Sequence, residues 1–116
     1  MEALIAVFRS VVSAFIATAA SVLPAQAETV MVKYRGPVDL APFGCESTPQ
    51  SSLVKRLCYD AKERYVLVNL QGTWYHYCEV PAVTVSAWRR SESLGRFYNA
   101  NMKGQFDCRM NRVPPY

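Results

Sequence analysis

The sequence contains little of what a catalytic or metal site is usually built from. It has 116 residues and one histidine, His76, so a two-histidine acid–base mechanism and a histidine-rich metal site are both excluded by count. It contains no Gly-x-Ser-x-Gly motif, no phosphate-binding loop and no dinucleotide fingerprint. Charged residues make up only 19% of the chain and hydrophobic residues 51%, which excludes a disordered, highly charged protein. The length allows one domain.

The N-terminal segment differs from the rest of the chain. After Arg9 the sequence is almost continuously apolar from Val11 to Leu23, and the small-x-small triplet Ala25-Gln26-Ala27 follows. Such a pattern is typical of a secretory signal peptide, and we predict that residues 1–27 are one, with cleavage after Ala27. The run is shorter than the about 20 apolar residues of a transmembrane helix. A retained N-terminal anchor is the alternative; the signal peptide predicts a periplasmic or secreted protein.

The cysteines agree with export. All four lie behind the predicted signal peptide, and an even number in an exported chain predicts two disulfides. A zinc site is the alternative, but the gaps of 13, 20 and 30 residues lack the paired spacing of zinc ligands. No Cys-x-x-Cys motif indicates a redox role, and we predict neither a metal nor a cofactor. The cysteines are Cys45, Cys58, Cys78 and Cys108.

Alternating apolar residues and turn residues predict antiparallel strands in the middle of the chain. Gln71-Gly72 is typical of a two-residue hairpin loop. This loop sets Val68 opposite Tyr75 and Val66 opposite Tyr77, so the four side chains share one face. The predicted strands are residues 30–34, 53–59, 64–70 and 73–80.

The predicted strand register limits the disulfide pairing. If residues 60–63 form the loop, Cys58 lies beside Tyr65, and Tyr65 lies beside Cys78. Cys58 and Cys78 are then two strands apart, roughly 9–10 Å. This exceeds the Cα separation of about 7 Å that a disulfide spans, so each is expected to bond outward. The remaining partners, in either order, are Cys45 and Cys108.

One helix is predicted after the strands. Pro81 favours a helix start because its missing N–H is not needed there, and Gly95 is expected to end the helix. Trp88 falls on its apolar face and is the predicted core anchor. The expected fold class is α+β: a small antiparallel sheet of three to four strands with one helix packed on one face, held by disulfides. Residues 36–50 are predicted to be a loop and residues 96–116 an irregular tail.

The order of several short motifs follows the pattern of a known family. They are Ser51-Ser52, Tyr59-Asp60, Val66-x-Val68-x-Leu70, Tyr75-His76-Tyr77 with Val80-Pro81, Trp88, Ser93-x-Gly95, Phe97-Tyr98-Asn99, Met102 and Phe106. In this order and spacing residues 51–106 resemble the KTSC domain, a short bacterial module named for the C-terminus of some lysyl-tRNA synthetases. The resemblance makes Tyr75 and Tyr77 family-motif residues. The family has no established function, and its synthetase context implies RNA binding only by analogy.

The resemblance also divides the chain. Residues 1–27 are the signal peptide, 28–50 an N-terminal extension, 51–106 the KTSC-like domain and 107–116 a C-terminal tail. The extension supplies Cys45 and the tail supplies Cys108. We therefore interpret the chain as a cytosolic-type module adapted to an oxidising compartment by two disulfide-linked extensions.

Basic and aromatic residues are the candidates for a binding site. Tyr75 and Tyr77 can stack bases on an open sheet, or they can pack beneath the helix, which the shared face with Val66 and Val68 favours. Basic residues are frequent after the predicted helix and form either a solvated face or an anion-binding patch. The residues of that patch are Arg89, Arg90, Arg96 and Lys103, with Tyr98 and Asn99 beside them.

These observations lead to one expected function and two alternatives. We expect an exported, disulfide-stabilised binding or structural module without catalytic activity. Its expected partner is an anionic envelope polymer or an acidic protein. The first alternative is a nucleic-acid-binding domain, specifically for RNA, that uses the basic patch and exposed aromatic residues. The second is a hydrolase that acts through His76, although no serine or carboxylate is predicted close to that residue.

Overall fold

A computed structural model describes residues 27–116. The predicted signal peptide, apart from Ala27, lies outside these residues. Within the described range, no helix combines the length and the apolar character that crossing a membrane requires. The elements, in chain order, are β1 (Thr29–Val32), β2 (Gly36–Asp39), β3 (Gly44–Ser47), β4 (Val54–Asp60), β5 (Tyr65–Leu70), β6 (Thr73–Tyr77), α1 (Ala82–Arg90), α2 (Leu94–Phe97) and a π-helical segment (Tyr98–Met102).

The strands form one mixed sheet of six strands in the order β2-β1-β6-β5-β4-β3. All neighbours are antiparallel except β1 and β6, which run parallel and pair at Val32 and Trp74. The predicted α+β fold with an antiparallel sheet of three to four strands is therefore wrong: the sheet has six strands, one neighbouring pair is parallel, and the described residues are mostly β with short helices. The additional strands β2 and β3 lie in the N-terminal extension.

Both additional strands occupy positions that tolerate their composition. They are the two outer strands of the sheet, and each has only four residues. Pro37 is compatible with β2 because an outer strand has one side without ladder hydrogen bonds. Proline and glycine made residues 36–50 resemble a loop, but a short outer strand accepts the same residues.

The central hairpin is confirmed, and the register of its neighbour is corrected. Val68 pairs with Tyr75 and Val66 with Tyr77, as predicted. The β4–β5 turn comprises residues 61–64 instead of 60–63, so Tyr65 pairs with Asp60 and not with Cys58. Asp60 accepts hydrogen bonds from the N–H groups of residues 62 and 63 inside this turn, which explains why the strand continues one residue further than expected.

The outward disulfide pairing is confirmed. Cys45 on β3 lies directly opposite Cys58 on β4, and the two are bonded with their Cα atoms 4.0 Å apart. Cys78 is bonded to Cys108 with a Cα separation of 4.9 Å. The first bond joins the extension to the sheet, and the second joins the C-terminal tail to the end of β6.

The helices pack on the face that carries Val66 and Val68, as predicted. Trp88 is completely buried there, stacks on Phe97 with ring centroids 6.0 Å apart, and donates its indole N–H to the Leu94 carbonyl at 3.1 Å. The single long helix is a wrong prediction, because α1 ends at an extended Ser91 and a second helix begins at Leu94.

Gly95 has a packing role inside α2 and does not end a helix. A Cβ atom at this position would lie 3.3 Å from the Cβ of Leu53, so glycine permits the close approach of α2 to the chain before β4. Helical structure then continues through Tyr98–Met102. The predicted irregular tail from residue 96 onward is therefore wrong for its first seven residues, residues 96–102.

A second, smaller core covers the opposite face of the sheet. Tyr65 and Leu67 are completely buried there. The extension and the C-terminal tail both contribute, because the guanidinium carbon of Arg35 lies over the rings of Tyr65 and Tyr116, 5.2 and 5.3 Å from their centroids. The Tyr116 hydroxyl donates a hydrogen bond to Asp60 at 2.7 Å. Residues outside the KTSC-like segment thus bury the face that the helices leave open.

Candidate functional site

A cavity with a volume of about 570 Å³ lies at one edge of β6. We call it the edge cleft. Lys33 and Tyr34 line one end, Tyr75, His76 and Tyr77 form its base, and residues between 104 and 109, with Val113, form the other end.

The edge cleft exists because β1 leaves β6 after one paired position. The Lys33 N–H donates to the Trp74 carbonyl at 2.9 Å, and the chain then turns through Tyr34, whose φ is +69°, into β2. At the other end the Cys78 N–H donates to the Phe106 carbonyl at 2.9 Å. The edge of β6 is therefore covered at both ends and open between them.

His76 presents its backbone to this open edge. N–H and C=O groups alternate sides along an antiparallel strand, and the outward bonds of Trp74 and Cys78 show that even-numbered residues of β6 face away from β5. The His76 N–H and C=O consequently point into the edge cleft. Among the described residues, neither group has a hydrogen-bond partner. A half-buried backbone donor and acceptor side by side are a ready binding point for a ligand.

The His76 side chain lies on the face of the second core. Its Nδ1 atom is 2.7 Å from the Tyr65 hydroxyl, and the two rings are perpendicular. Burial lowers the pKa of His76 below its usual value, Arg35 lowers it further, and Asp107 acts in the opposite direction. In a neutral ring, Nδ1 accepts a hydrogen bond from the Tyr65 hydroxyl, so the second core orients the imidazole.

We expect the single histidine to titrate below pH 6.5. A ring that is harder to protonate in the folded state makes the unfolded state bind more protons as the pH falls. The free energy of unfolding should therefore be constant above about pH 7 and decrease below pH 6.5 toward the lower folded pKa. NMR of the imidazole ring protons measures the midpoint of the His76 titration, and the signals need no assignment because the chain has one histidine. His76→Gln should remove this part of the stability profile, and a midpoint at or above 6.5 would contradict the assigned burial.

The charges of the edge cleft are unequally compensated. Arg109 and Asp107 form a salt bridge of 2.7 Å, with further contacts of 3.1 Å, and Arg109 holds the pKa of Asp107 at about 2. Lys33 forms no salt bridge with any described residue; its Nζ lies 5.4 Å from the Tyr34 ring centroid and 5.6 Å from that of Tyr75. The cleft thus has one uncompensated positive charge, at the Lys33 end.

No metal is expected to bind here while the disulfide is intact. Within the described range, the one group of potential ligands is His76 with Cys78 and Cys108, whose ligand atoms lie within 4.8 Å of one another. Both sulfur atoms belong to the Cys78–Cys108 disulfide, and a metal binds the thiolate form of cysteine.

Comparison with known proteins assigns the middle of the chain to a family. The sequence profile of the KTSC domain matches residues 50–106. Residues 50–106 belong to the KTSC domain family. The crystal structure of a KTSC domain protein from Yersinia pestis is similar in fold, with a TM-score of 0.53 and 24% sequence identity over 56% of this chain and 92% of the other. No curated protein matches the sequence. The molecular role of the domain is unknown.

The edge cleft combines the KTSC domain with both extensions. Tyr75, His76 and Tyr77 belong to the domain, whereas Lys33 and Tyr34 precede it and residues 107–109 follow it. Tyr75 and Tyr77 pack against the helical core and are half-buried. Their packing against the helical core agrees with the predicted face, and both residues also line the edge cleft.

The predicted basic patch lies elsewhere, outside the edge cleft. Arg89 forms a salt bridge of 3.1 Å with Glu46. Tyr98 is buried, and its hydroxyl shares a hydrogen bond with that of Tyr77, which together with burial raises the pKa of Tyr77. The remaining members of the patch are exposed and form no salt bridge with described residues: Arg90, Arg96, Lys103 and Asn99.

Nothing in the sequence alone marks Lys33 and Tyr34 as site residues. They lie about 40 positions before the base of the cleft, and a parallel pairing of β1 with β6 brings them there. Gly36, at a φ of +102°, was a visible turn signal directly after them. The sequence predicts strand β1 before this turn, but it does not predict that β1 pairs with β6.

Proposed function

We propose that the protein is an exported, disulfide-stabilised binding module without catalytic activity, and that its ligand binds in the edge cleft. The observation that carries the proposal is the open backbone of His76 inside a cleft of about 570 Å³. A concave site with a few unpaired polar groups between aromatic side chains is the usual form of a ligand site.

The charge of the edge cleft favours an anionic ligand. Lys33 is exposed and has no carboxylate partner among the described residues, whereas the only carboxylate of the cleft, on Asp107, is bound by Arg109. A carboxylate on the ligand would form an ion pair with the Lys33 ammonium. The net charge of the chain, +4, also favours anionic ligands. The partner class that fits is an anionic envelope polymer or an acidic protein.

Two observations support a role without catalysis. The Nδ1 atom of the single histidine is bonded to Tyr65, and Tyr65 is completely buried in the second core. The carboxylate of Asp107 is held by Arg109 and keeps a low pKa, which leaves it a weak base. General acid–base catalysis at neutral pH favours groups with a pKa near 7.

Export is supported by the two disulfides, because such bonds persist in oxidising compartments and are rare in reducing ones. The predicted signal peptide agrees with this location. Each disulfide links the KTSC domain to the segment before or after it. In a reducing compartment both cross-links would be lost.

We expect Lys33→Gln to weaken the binding of anionic probes about two- to fivefold, the range of an exposed ion pair. Amide chemical shifts would be followed by NMR at low salt while an oligoglutamate and an oligogalacturonate are added in separate titrations. The shifts should concentrate at residues 33–34, 75–77 and 104–109. Arg90→Gln is the matched control, because Arg90 is an exposed cation on the helical side, and it should leave the affinity unchanged.

Two results would overturn the proposal. One is the absence of shifts at the edge cleft with both probes at millimolar concentration. The other is a set of shifts centred on Arg90, Arg96 and Lys103 that appears with single-stranded RNA and weakens linearly in log–log form as salt rises. The second result would favour the nucleic-acid alternative.

A further inference from the structure

The open backbone of His76 defines the kind of chain that fits the edge cleft. We propose that the ligand is a short acidic segment of a polypeptide, which adds to β6 as an extended strand and pairs with the backbone of His76. This inference rests on the proposed function, since it identifies the ligand of the same cleft.

The dimensions of the open edge allow one paired residue. Trp74 and Cys78 are about 13 Å apart along a strand; the Trp74 carbonyl is already bonded to the Lys33 N–H, and the Cys78 N–H to the Phe106 carbonyl. Between them the N–H and C=O of His76 remain, which match the C=O and N–H of a single residue in an added strand. The ligand would occupy the place along β6 from which β1 departs.

The spacing of the N–H and C=O groups of His76 favours a polypeptide over the other anionic polymers. A peptide unit supplies an acceptor and a donor at the spacing of a strand. The phosphates of a nucleic acid supply acceptors only, and the hydroxyl donors of RNA or of a polysaccharide do not alternate with acceptors at the spacing of a strand. An unpaired buried carbonyl weakens such a complex.

The charge of Lys33 indicates where the acidic side chain lies. The Lys33 ammonium is held near the rings of Tyr34 and Tyr75, next to the open backbone of His76. A glutamate or aspartate one residue from the paired position would place its carboxylate beside Lys33. At the other end Arg109 is already neutralised by Asp107, so a second acidic residue gains less there.

Three synthetic peptides test the inference by NMR titration of the complete disulfide-bonded protein. The first is a blocked pentapeptide with a central valine between two glutamates. In the second, both glutamates are replaced by lysine. The third repeats the first with an N-methyl group on the central valine, which removes the N–H that would donate to His76 and leaves the charge unchanged.

We expect the acidic peptide to shift the His76 amide resonance downfield and to bind at least tenfold more tightly than the lysine peptide. The N-methyl peptide should bind about tenfold more weakly than its parent, because one hydrogen bond is lost and one carbonyl is left unpaired. Lys33→Gln, which changes an exposed side chain, should reduce the difference in affinity between the acidic and the lysine peptides.

The outcomes separate this inference from the proposed function. If the N-methyl peptide binds as tightly as its parent while Lys33→Gln still weakens both, the edge cleft binds anions but no strand is added, and the inference is overturned. The same conclusion follows if the oligogalacturonate binds the cleft and the acidic peptide does not. If none of these probes shifts residues 33–34 or 75–77, both proposals fail.

Discussion

Trp88→Ala is expected to lower the free energy of unfolding by about 3–5 kcal/mol, the range for removing a large aromatic side chain from a core. Trp88 is completely buried between the sheet and α2. The substitution removes the stack on Phe97 and leaves the Leu94 carbonyl without the indole donor. Small domains have a total stability of about 5–15 kcal/mol, so the variant should be near the limit of folding.

Urea denaturation followed by far-ultraviolet circular dichroism measures this loss without relying on the fluorescence of the removed side chain. Trp88→Phe retains part of the ring contact and should lose less than the alanine variant. Val83→Ala is the matched control on the same helix, because Val83 is 71% exposed, and it should change the stability by less than about 0.5 kcal/mol. A loss below about 1 kcal/mol for Trp88→Ala would contradict the central position of this residue.

The most local features of the fold are those that the sequence predicts correctly. The hairpin around Gln71-Gly72 follows from the turn and the alternation of residues close to it. The burial of Trp88 follows from its position on a helical repeat. Each depends on interactions within about ten residues, where propensity and periodicity act directly.

The features that were missed depend on packing between distant segments. The outer strands β2 and β3 are short and contain Pro37 and Gly44, so only pairing with β1 and β4 selects the extended conformation. The break at Ser91 is partly local, because Ser93 caps α2 by accepting the Arg96 N–H, whereas the close approach of α2 to Leu53 through Gly95 is long-range. No local residue preference indicates these contacts.

The candidate site was predictable only in part for the same reason. Tyr75, His76 and Tyr77 could be recognised in the sequence as a motif. The other residues of the cleft could not, because they come from distant segments. Lys33 comes from the extension and Arg109 from the tail, and both reach β6 through long-range contacts. The basic patch was suggested by a run of cations in sequence, yet Arg89 is paired with Glu46 and Tyr98 is buried.

Removing the Cys78–Cys108 disulfide with the double substitution Cys78→Ala/Cys108→Ala is expected to cost about 3–4 kcal/mol, mainly by releasing the constraint on the unfolded chain. The bond closes a loop with a sequence separation of 30, against 13 for Cys45–Cys58. The chain-entropy relation then predicts a loss that is larger by about 0.7 kcal/mol for Cys78–Cys108. Urea denaturation of this variant and of Cys45→Ala/Cys58→Ala under identical conditions compares the two losses of stability.

The two disulfides should differ more in their effect on the edge cleft than in their effect on stability. The Cys78–Cys108 bond and the hydrogen bond from the Cys78 N–H to Phe106 hold residues 104–109 against β6, and these residues form one end of the cleft. The Cys45–Cys58 bond lies in the same core but joins β3 to β4, at the edge of the sheet that is farther from the cleft. Amide hydrogen exchange at position 78 should therefore accelerate only in the Cys78→Ala/Cys108→Ala variant, and the acidic peptide should lose affinity only for that variant. Equal protection and equal affinity in both variants would show that the tail is held without the disulfide, since local opening follows the weakest local contacts.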